Sequence, residues 1–159
     1  MDAPMTKPEW KTPDWVPGHI EKYLTDPEAA HMWDTGAVGL DKMIPTLLLT
    51  TTGRKSGEPR HSPLIYQHLE GAYVVIGSKG GYPDHPAWYL NLLAAPEAEI
   101  RVGAKRLKVR ARTTDGAERE RLWDLMQEAY PLYEVYKARH PARPFPVIAL
   151  EPIGDVAHD

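Results

Sequence analysis

Ile44-Pro45-Thr46-Leu47-Leu48-Leu49-Thr50-Thr51-Thr52-Gly53-Arg54-Lys55-Ser56-Gly57-Glu58-Pro59-Arg60 runs from an apolar, β-branched stretch straight into a polar turn. Ile44 to Thr52 reads as a strand, and the unbroken Leu47-Leu48-Leu49 predicts burial on both of its faces. The turn that follows holds Arg54, Lys55 and Arg60, with hydroxyls and the glycines Gly53 and Gly57. Small residues let backbone N–H groups converge on one point, and the cations add charge there, which is chemistry for an anion such as a cofactor phosphate. The spacing is not that of a Walker loop, and a strand rather than a helix follows. Taken alone, the turn reads better as a solvated hairpin loop whose cations help only solubility.

Outward from this stretch, a second strand spans about Arg60 to Leu69. Pro63 within it has no N–H for a ladder, which predicts a sheet edge or a bulge. Glu70-Gly71 makes a tight turn into a third strand, Ala72 to Gly77, giving a β-hairpin. After the loop Ser78 to Asp84, His85-Pro86 opens a helix through about Leu93. Strands at about Ala98 to Val102 and Lys105 to Thr113 join at Gly103, and in the second Leu107, Val109 and Ala111 alternate with Arg106, Lys108, Arg110 and Arg112. Asp115 and Glu118 resemble a capping box that starts a helix with the apolar stripe Leu122, Met126, Ala129 and Tyr130. Pro131 interrupts that helix, a further turn carries Tyr133 and Tyr136, and a strand at about Pro146 to Leu150 closes the pattern. Upstream, residues 1 to 17 read as a proline-rich arm anchored by Trp10 and Trp15. A short helix at Ile20 to Leu24 follows, and Asp26-Pro27 starts another through Trp33. Antiparallel strands with helices inserted late predict an α+β domain, most simply a small barrel.

Composition narrows the function. The 159 residues suit one domain with one core, and the absence of cysteine excludes disulfides, thiolate metal sites and cysteine nucleophiles. No apolar run is long enough to span a bilayer, and the N-terminus lacks the order of a secretory signal, so a soluble cytoplasmic protein is expected. A net charge of −3 argues against general nucleic-acid binding. Residues 1 to 35 are acid-rich, yet Arg101 to Arg112 carries Arg101, Lys105, Arg106, Lys108, Arg110 and Arg112 with no acid. That cationic strand face reads as a solvated face paired with acids, or as a steering surface for an anionic cofactor tail. One Phe stands against eight Tyr and five Trp, residues that bring a polar handle to pocket walls. Trp10 and Trp15 leave a peripheral membrane contact open beside an arm packed on the body.

Two further clusters carry chemistry. Gly77-Ser78-Lys79-Gly80-Gly81 lets a ligand approach the backbone, and the helix start at Pro86 offers unpaired N–H groups to an anion; a plain loop-to-helix connection is the alternative. Tyr130, Tyr133 and Tyr136 recur near one helical face, so their phenols line either a core or a pocket, and a pocket can use hydroxyls that a core must satisfy. The histidines His19, His31, His61, His68, His85, His140 and His158 show no metal-ligand spacing, and no metal is assigned.

The ordered series Leu47 to Gly57, Arg60, Pro63-Leu64, Ser78 to Gly81, His85-Pro86-Ala87-Trp88-Tyr89 and Asn91 resembles the deazaflavin-dependent nitroreductase family. Arg121-Leu122-Trp123, Tyr130-Pro131, Tyr133, Tyr136 and Pro146-Val147 extend the likeness, which covers about residues 40 to 153. The resemblance implies a split β-barrel of mainly antiparallel strands with flanking helices that binds coenzyme F420, a deazaflavin with a phosphate and an oligoglutamate tail. The expected organisation is residues 36–159 as the cofactor-binding split barrel, with residues 1–35, which the likeness does not cover, as an arm and short helices of the same unit. By position, Arg54, Lys55, Ser56 and Arg60 would hold the phosphate and tail. The segments His61, Ser62, Pro63, Leu64, Ile65 and Ile76, Gly77, Ser78, Lys79 would flank the ring. Ala87, Trp88, Tyr89, Leu90 and Asn91 would contact the cofactor from the helix start. Tyr133, with Tyr130, Tyr136 and Ser78, would face the substrate. Leu90 stands where relatives often carry histidine, and Gly77 where alanine is common.

The resulting expectation is an oxidoreductase that passes a hydride from reduced F420 to an electron-poor acceptor, a quinone, activated enone or nitro compound. A 5-deaza ring gives up two electrons as hydride and suits one-electron chemistry poorly. The alternatives are a split-barrel reductase using FMN and a non-catalytic F420-binding or storage protein. Oligomeric state is not legible.

Overall fold

The computed structural model describes residues 12–81, 83–139 and 143–156. Trp10, His140 and His158 lie outside them. The strands are β1 (Met32–Asp34), β2 (Met43–Thr52), β3 (Pro59–Ile65), β4 (Gln67–Leu69), β5 (Ala72–Ile76), β6 (Glu97–Val102), β7 (Lys105–Thr113) and β8 (Val147–Asp155). The helices are α1 (Trp15–Thr25), α2 (Pro27–Ala30), α3 (Ala87–Ala94), α4 (Gly116–Ala129) and α5 (Leu132–Arg139). Every pairing is antiparallel, in the order β1-β2-β6-β7-β8-β5-β4, with β3 on β2.

That order wraps the sheet into a split barrel. The stretch expected as one strand from Arg60 to Leu69 changes partners at Tyr66: β3 before it pairs with β2, and β4 after it pairs with β5. The ring therefore closes through the chain itself, and β3 and β5 face each other without a ladder. Pro63 sits opposite Leu48 in β3, whose ladder is with β2 alone, so its missing N–H falls in an edge strand as expected. Tyr66 is buried in the barrel core, and its hydroxyl meets His31 Nε2 at 2.7 Å. Glu70 and Gly71, with φ of 54° and 82°, make the two-residue turn into β5.

Period-two alternation sorts the core. Leu47, Leu49, Val75, Ile100, Leu107, Val109, Ile148 and Leu150 point into the barrel, where Trp88, Tyr89 and Leu92 of α3 join them. Val74, Ile76 and Val147 point outward under Leu122, Trp123 and Met126 of α4 and Tyr133 of α5. Leu48, between the two inward leucines, packs outward against Tyr23 of α1 and Ala30. The three leucines are thus buried on both faces, as their unbroken run required.

Three local expectations change. The short helix expected from Ile20 begins earlier, at Trp15, because Pro17 falls in the first turn, where its missing N–H costs nothing. The helix at Asp26-Pro27 stops at Ala30, and Trp33 belongs to β1, paired with Ile44. The capping box does not form: Asp115 makes no side-chain cap to α4, and Glu118 is taken by Arg112. The cations on the outer face of β7 pair with acids: Arg106 with Glu99, Arg110 with Glu97, and Arg112 with Glu118 and Glu151. They form the solvated, acid-paired face rather than a steering surface.

α1 is fastened to the barrel by buried polar contacts. Tyr23 donates its hydroxyl proton to the Thr46 carbonyl at 2.5 Å and accepts from the Gly103 N–H at 3.1 Å, while His19 Nε2 meets Thr46 Oγ1 at 3.0 Å. Burial, and then Lys22, lowers the His19 pKa, and the rings of Trp15 and Tyr23 pack its edges. The unfolded chain therefore takes a proton near pH ~6.5 while the folded chain does not. Stability should be full above that pH and fall as pH drops below it. His19→Gln should retain the unfolding midpoint at pH 7.5 and lose less of it at pH 5.5 than wild type does, as read by thermal unfolding; equal acid losses in the two proteins would contradict the assignment.

Candidate active site in the split of the barrel

A cavity of about 760 Å³ opens where β3 and β5 lack a shared ladder. One side is β3, from His61 to Ile65, and the other is Ile76 with Ser78 and Lys79 just beyond β5. Pro86, Ala87 and Trp88 form the start of α3 at its floor, and Tyr130, Tyr133, Tyr136 and Arg139 face it from α4 and α5. A second cavity of about 230 Å³, lined by Gly53, Arg54, Lys55, Ser56, Arg60 and Asn91, shares Ser62, Ala87 and Trp88 with the first. The two adjoin along these shared residues.

The small end is the turn between β2 and β3. Gly53 N–H donates to Glu58 O, and Gly57 N–H donates back to Gly53 O, both at 2.8 Å. Arg60 Nη2 and the Glu58 N–H both donate to Ser56 Oγ, at 3.2 Å. Asn91, only 3% exposed, braces the turn from behind. Its Oδ1 accepts from the Arg54 N–H at 3.2 Å and from Arg54 Nη1 at 3.0 Å, while its Nδ2 donates to Thr51 Oγ1 at 3.1 Å. Among the described residues no carboxylate pairs with Arg54, Lys55 or Arg60. Arg106, Arg110, Arg112 and Arg121 each pair with an acid, whereas Arg54, Lys55 and Arg60 gather at one turn without one, a charge balance that suits an anion. Pro86 offers no side-chain cap to α3, leaving that helix start open toward the same groove.

The large end carries the phenols. Tyr130 and Tyr136 bring their hydroxyls to 2.7 Å of each other. Tyr133 is 4% exposed, and its hydroxyl has no partner among the described residues. Burial, and then the neighbouring tyrosine, pushes the Tyr130 and Tyr133 pKa values far up, so both stay protonated donors across the working range. Thr50 Oγ1 meets His61 Nδ1 at 2.8 Å across the β2–β3 ladder. Gly81, at φ 84°, lets this wall close: a Cβ there would run into the Tyr136 carbonyl and Arg139 Cβ, so α5 lies directly on the Lys79–Gly81 turn.

Most residues expected at the site line the groove, but three do not. Gly77 lies behind the wall; its N–H donates to Pro146 O at 2.9 Å, and a Cβ would stand 2.8 Å from Pro146 Cγ. An alanine here would force a shift. Tyr89 turns into the barrel core, with its hydroxyl 3.1 Å from Thr113 Oγ1, and Leu90 lies off both cavities. In return, α1 supplies a wall that the sequence did not disclose: Trp15, Val16 and Ile20, with Trp33 and Val38 behind. Trp15 packs on Trp33 at 4.5 Å between ring centroids, so this tryptophan belongs to the cavity wall rather than to a membrane-facing surface. The apolar spacing Trp15, Val16, Ile20 could have revealed that face, had the helix start been legible. Among the described residues no helix is long and apolar enough to cross a membrane.

Comparison with known proteins identifies the family. Residues 27–152 match the model of the F420H(2)-dependent quinone reductase family. An F420H(2)-dependent quinone reductase of Mycobacterium tuberculosis is 37% identical over 142 residues, 86% of this chain and 95% of its own length. Among solved structures, an F420-H2 dependent reductase is 44% identical with a TM-score of 0.62, over 67% of this chain and 94% of its own. Another chain, described as a domain-swapped dimer, is 41% identical with a TM-score of 0.63, over 87% of this chain and 98% of its own. The chain belongs to the F420H(2)-dependent quinone reductase family and is an oxidoreductase with coenzyme F420 as its cofactor.

The residues present fit that group. A cation cluster without carboxylate partners suits a phosphate and an acidic tail, and the adjoining cavity has the volume for a fused ring with an acceptor beside it. Lys55→Ala and Arg60→Ala should each weaken F420 binding, by tenfold or more for long oligoglutamate tails, whereas Arg110→Ala on the paired β7 face should leave it unchanged. A fluorescence titration reads this, and equal affinities for all three variants would remove the turn from the site.

Proposed function

We propose that this protein reduces a quinone, with the groove in the barrel split holding the cofactor tail at the Gly53–Arg60 turn and its ring between β3 and Ser78-Lys79. The observation that carries the reading is the polarity of the two adjoining cavities: cations with no carboxylate partner among the described residues at one end, protonated phenols at the other, meeting at Ser62, Ala87 and Trp88. F420 supplies the hydride when bound.

The chain's own residues then have three tasks. Arg54, Lys55, Ser56 and Arg60 hold the phosphate and tail, with Asn91 keeping Arg54 in place. The Tyr133 hydroxyl, buried and without a partner among the described residues, gives its hydrogen bond to the acceptor oxygen as negative charge gathers there, with Ser78 as a second donor. Tyr130 and Tyr136 satisfy each other and leave one proton for the acceptor side. Trp15, Val16, Ile20 and Trp33 make the acceptor end apolar and exclude water, which suits the flat, lipophilic ring of a quinone better than a strongly polar acceptor. Because α1 supplies that wall, residues 12–35 and the barrel act as one unit.

Tyr133→Phe should keep F420 affinity within about twofold and lower quinone turnover by about 10² or more, the scale of a lost oxyanion donor. Steady-state oxidation of reduced F420 by a soluble quinone measures it. Unchanged turnover would take Tyr133 out of the reaction, and activity with a nitro compound or enone but not a quinone would overturn the acceptor.

A further inference from the structure

Behind the cofactor loop sits a charged side chain that the site does not itself expose. Arg143, in the segment between α5 and β8, is 8% exposed. Its Nη1 donates to the Gly77 carbonyl at 3.0 Å and its Nη2 to the Ser78 carbonyl at 2.7 Å, with His85 Nδ1 at 3.1 Å from Nη1. The guanidinium also lies 4.7 Å from the centre of the Phe145 ring. Burial, and then Arg143, lowers the His85 pKa, which keeps Nδ1 an acceptor at neutral pH. A guanidinium is costly to bury, and here a large part of its donor capacity is spent on two consecutive backbone carbonyls.

Two consecutive carbonyls on one side is not strand geometry, in which they alternate. The planar fork of arginine suits such a pair, and a lysine ammonium cannot match both directions. Each peptide is planar, so an N–H points opposite to its carbonyl. With the Gly77 and Ser78 carbonyls held toward Arg143, the N–H groups of Ser78 and Lys79 both aim the other way, and both residues line the large cavity. The Ser78 N–H has no acceptor among the described residues. Lys79 stands at φ 46°, a left-handed conformation that a non-glycine residue adopts at some cost and that the Arg143 bonds help to hold.

We propose that Arg143 is a positioning residue: by gripping the Gly77 and Ser78 carbonyls it turns the Ser78 and Lys79 N–H groups into the cavity as a paired donor for a carbonyl oxygen on the cofactor ring. This rests on the reading of the large cavity as the ring site. The positive charge behind the two peptides also strengthens their dipoles toward the ring. The arrangement differs from that at the turn, where cations meet the ligand directly; here the cation acts through the backbone.

The test separates ring from tail. Wild type, Arg143→Lys and Arg143→Gln are titrated by fluorescence with F420 and with the ring-and-ribityl fragment that lacks phosphate and glutamates, after circular dichroism and unfolding midpoints establish the folded state. Both variants should bind the fragment about tenfold more weakly, with the ratio of F420 to fragment affinity unchanged. In wild type, the Ser78 and Lys79 amide proton resonances should move downfield when the fragment is added, a readout that survives if the variants fail to fold. Wild-type fragment affinity in a folded Arg143→Lys, or amide resonances that do not move, would overturn the proposal. Failure of wild type to bind either ligand would instead defeat the underlying reading of the cavity.

Discussion

At Tyr66 the strand that closes the barrel leaves β2 and joins β5, and the opening between β3 and β5 follows from that change of partner. The ring of Tyr66 is buried with Tyr73 in the barrel core, and its hydroxyl is tied to His31 at 2.7 Å, so the bend is pinned from inside and outside. Burial pushes that phenol up to about 12, which keeps it a neutral partner for the histidine. Had β3 continued beside β5, a ladder would have sealed the wall from which Ser62, Leu64 and Ile76 now face the groove. Pro63, with no N–H to give, helps keep that edge open.

An open barrel wall needs loops that hold their shape without a ladder, and two buried polar side chains provide this. Asn91 stands behind the cation turn and satisfies both the backbone and the guanidinium of Arg54. Arg143 stands behind the Ser78-Lys79 loop and satisfies two successive carbonyls. Each is anchored in regular structure or beside it, Asn91 in α3 and Arg143 near the start of β8. Both belong to the class of buried hydrogen-bonded group whose removal leaves several partners unsatisfied at once. The ligand-facing residues can therefore remain charged and partly solvated while their geometry is set from the interior.

Much of this was legible in the sequence. The leucine run of β2 announced burial on both faces, Pro63 announced an edge, and the period of β7 separated a buried face from a cationic one. The turn cations and the tyrosine series were visible because their residue types are unusual at such density. What escaped depends on tertiary partners. No local propensity says that a strand must change neighbours at Tyr66, and Trp33 became part of β1 because Ile44 was there to pair with it. Glu118 went to Arg112 rather than to a capping box, a choice made by a strand distant in sequence. Arg143 gave no signal at all, since a single arginine among prolines looks like any surface cation until its carbonyl partners, some 65 residues away, are known. The wall from α1 was missed because Pro17 looked like the end of an arm instead of the first turn of a helix.

A crystal structure of the protein with oxidised F420 tests most directly the proposal that the two adjoining cavities hold one cofactor end to end. It should show the phosphate within hydrogen-bond reach of Lys55 and Arg60 and the ring between β3 and Ser78-Lys79, with the Tyr133 hydroxyl facing the space beside the ring. A ring seated outside the β3–β5 gap, or a phosphate held away from the turn, would contradict it.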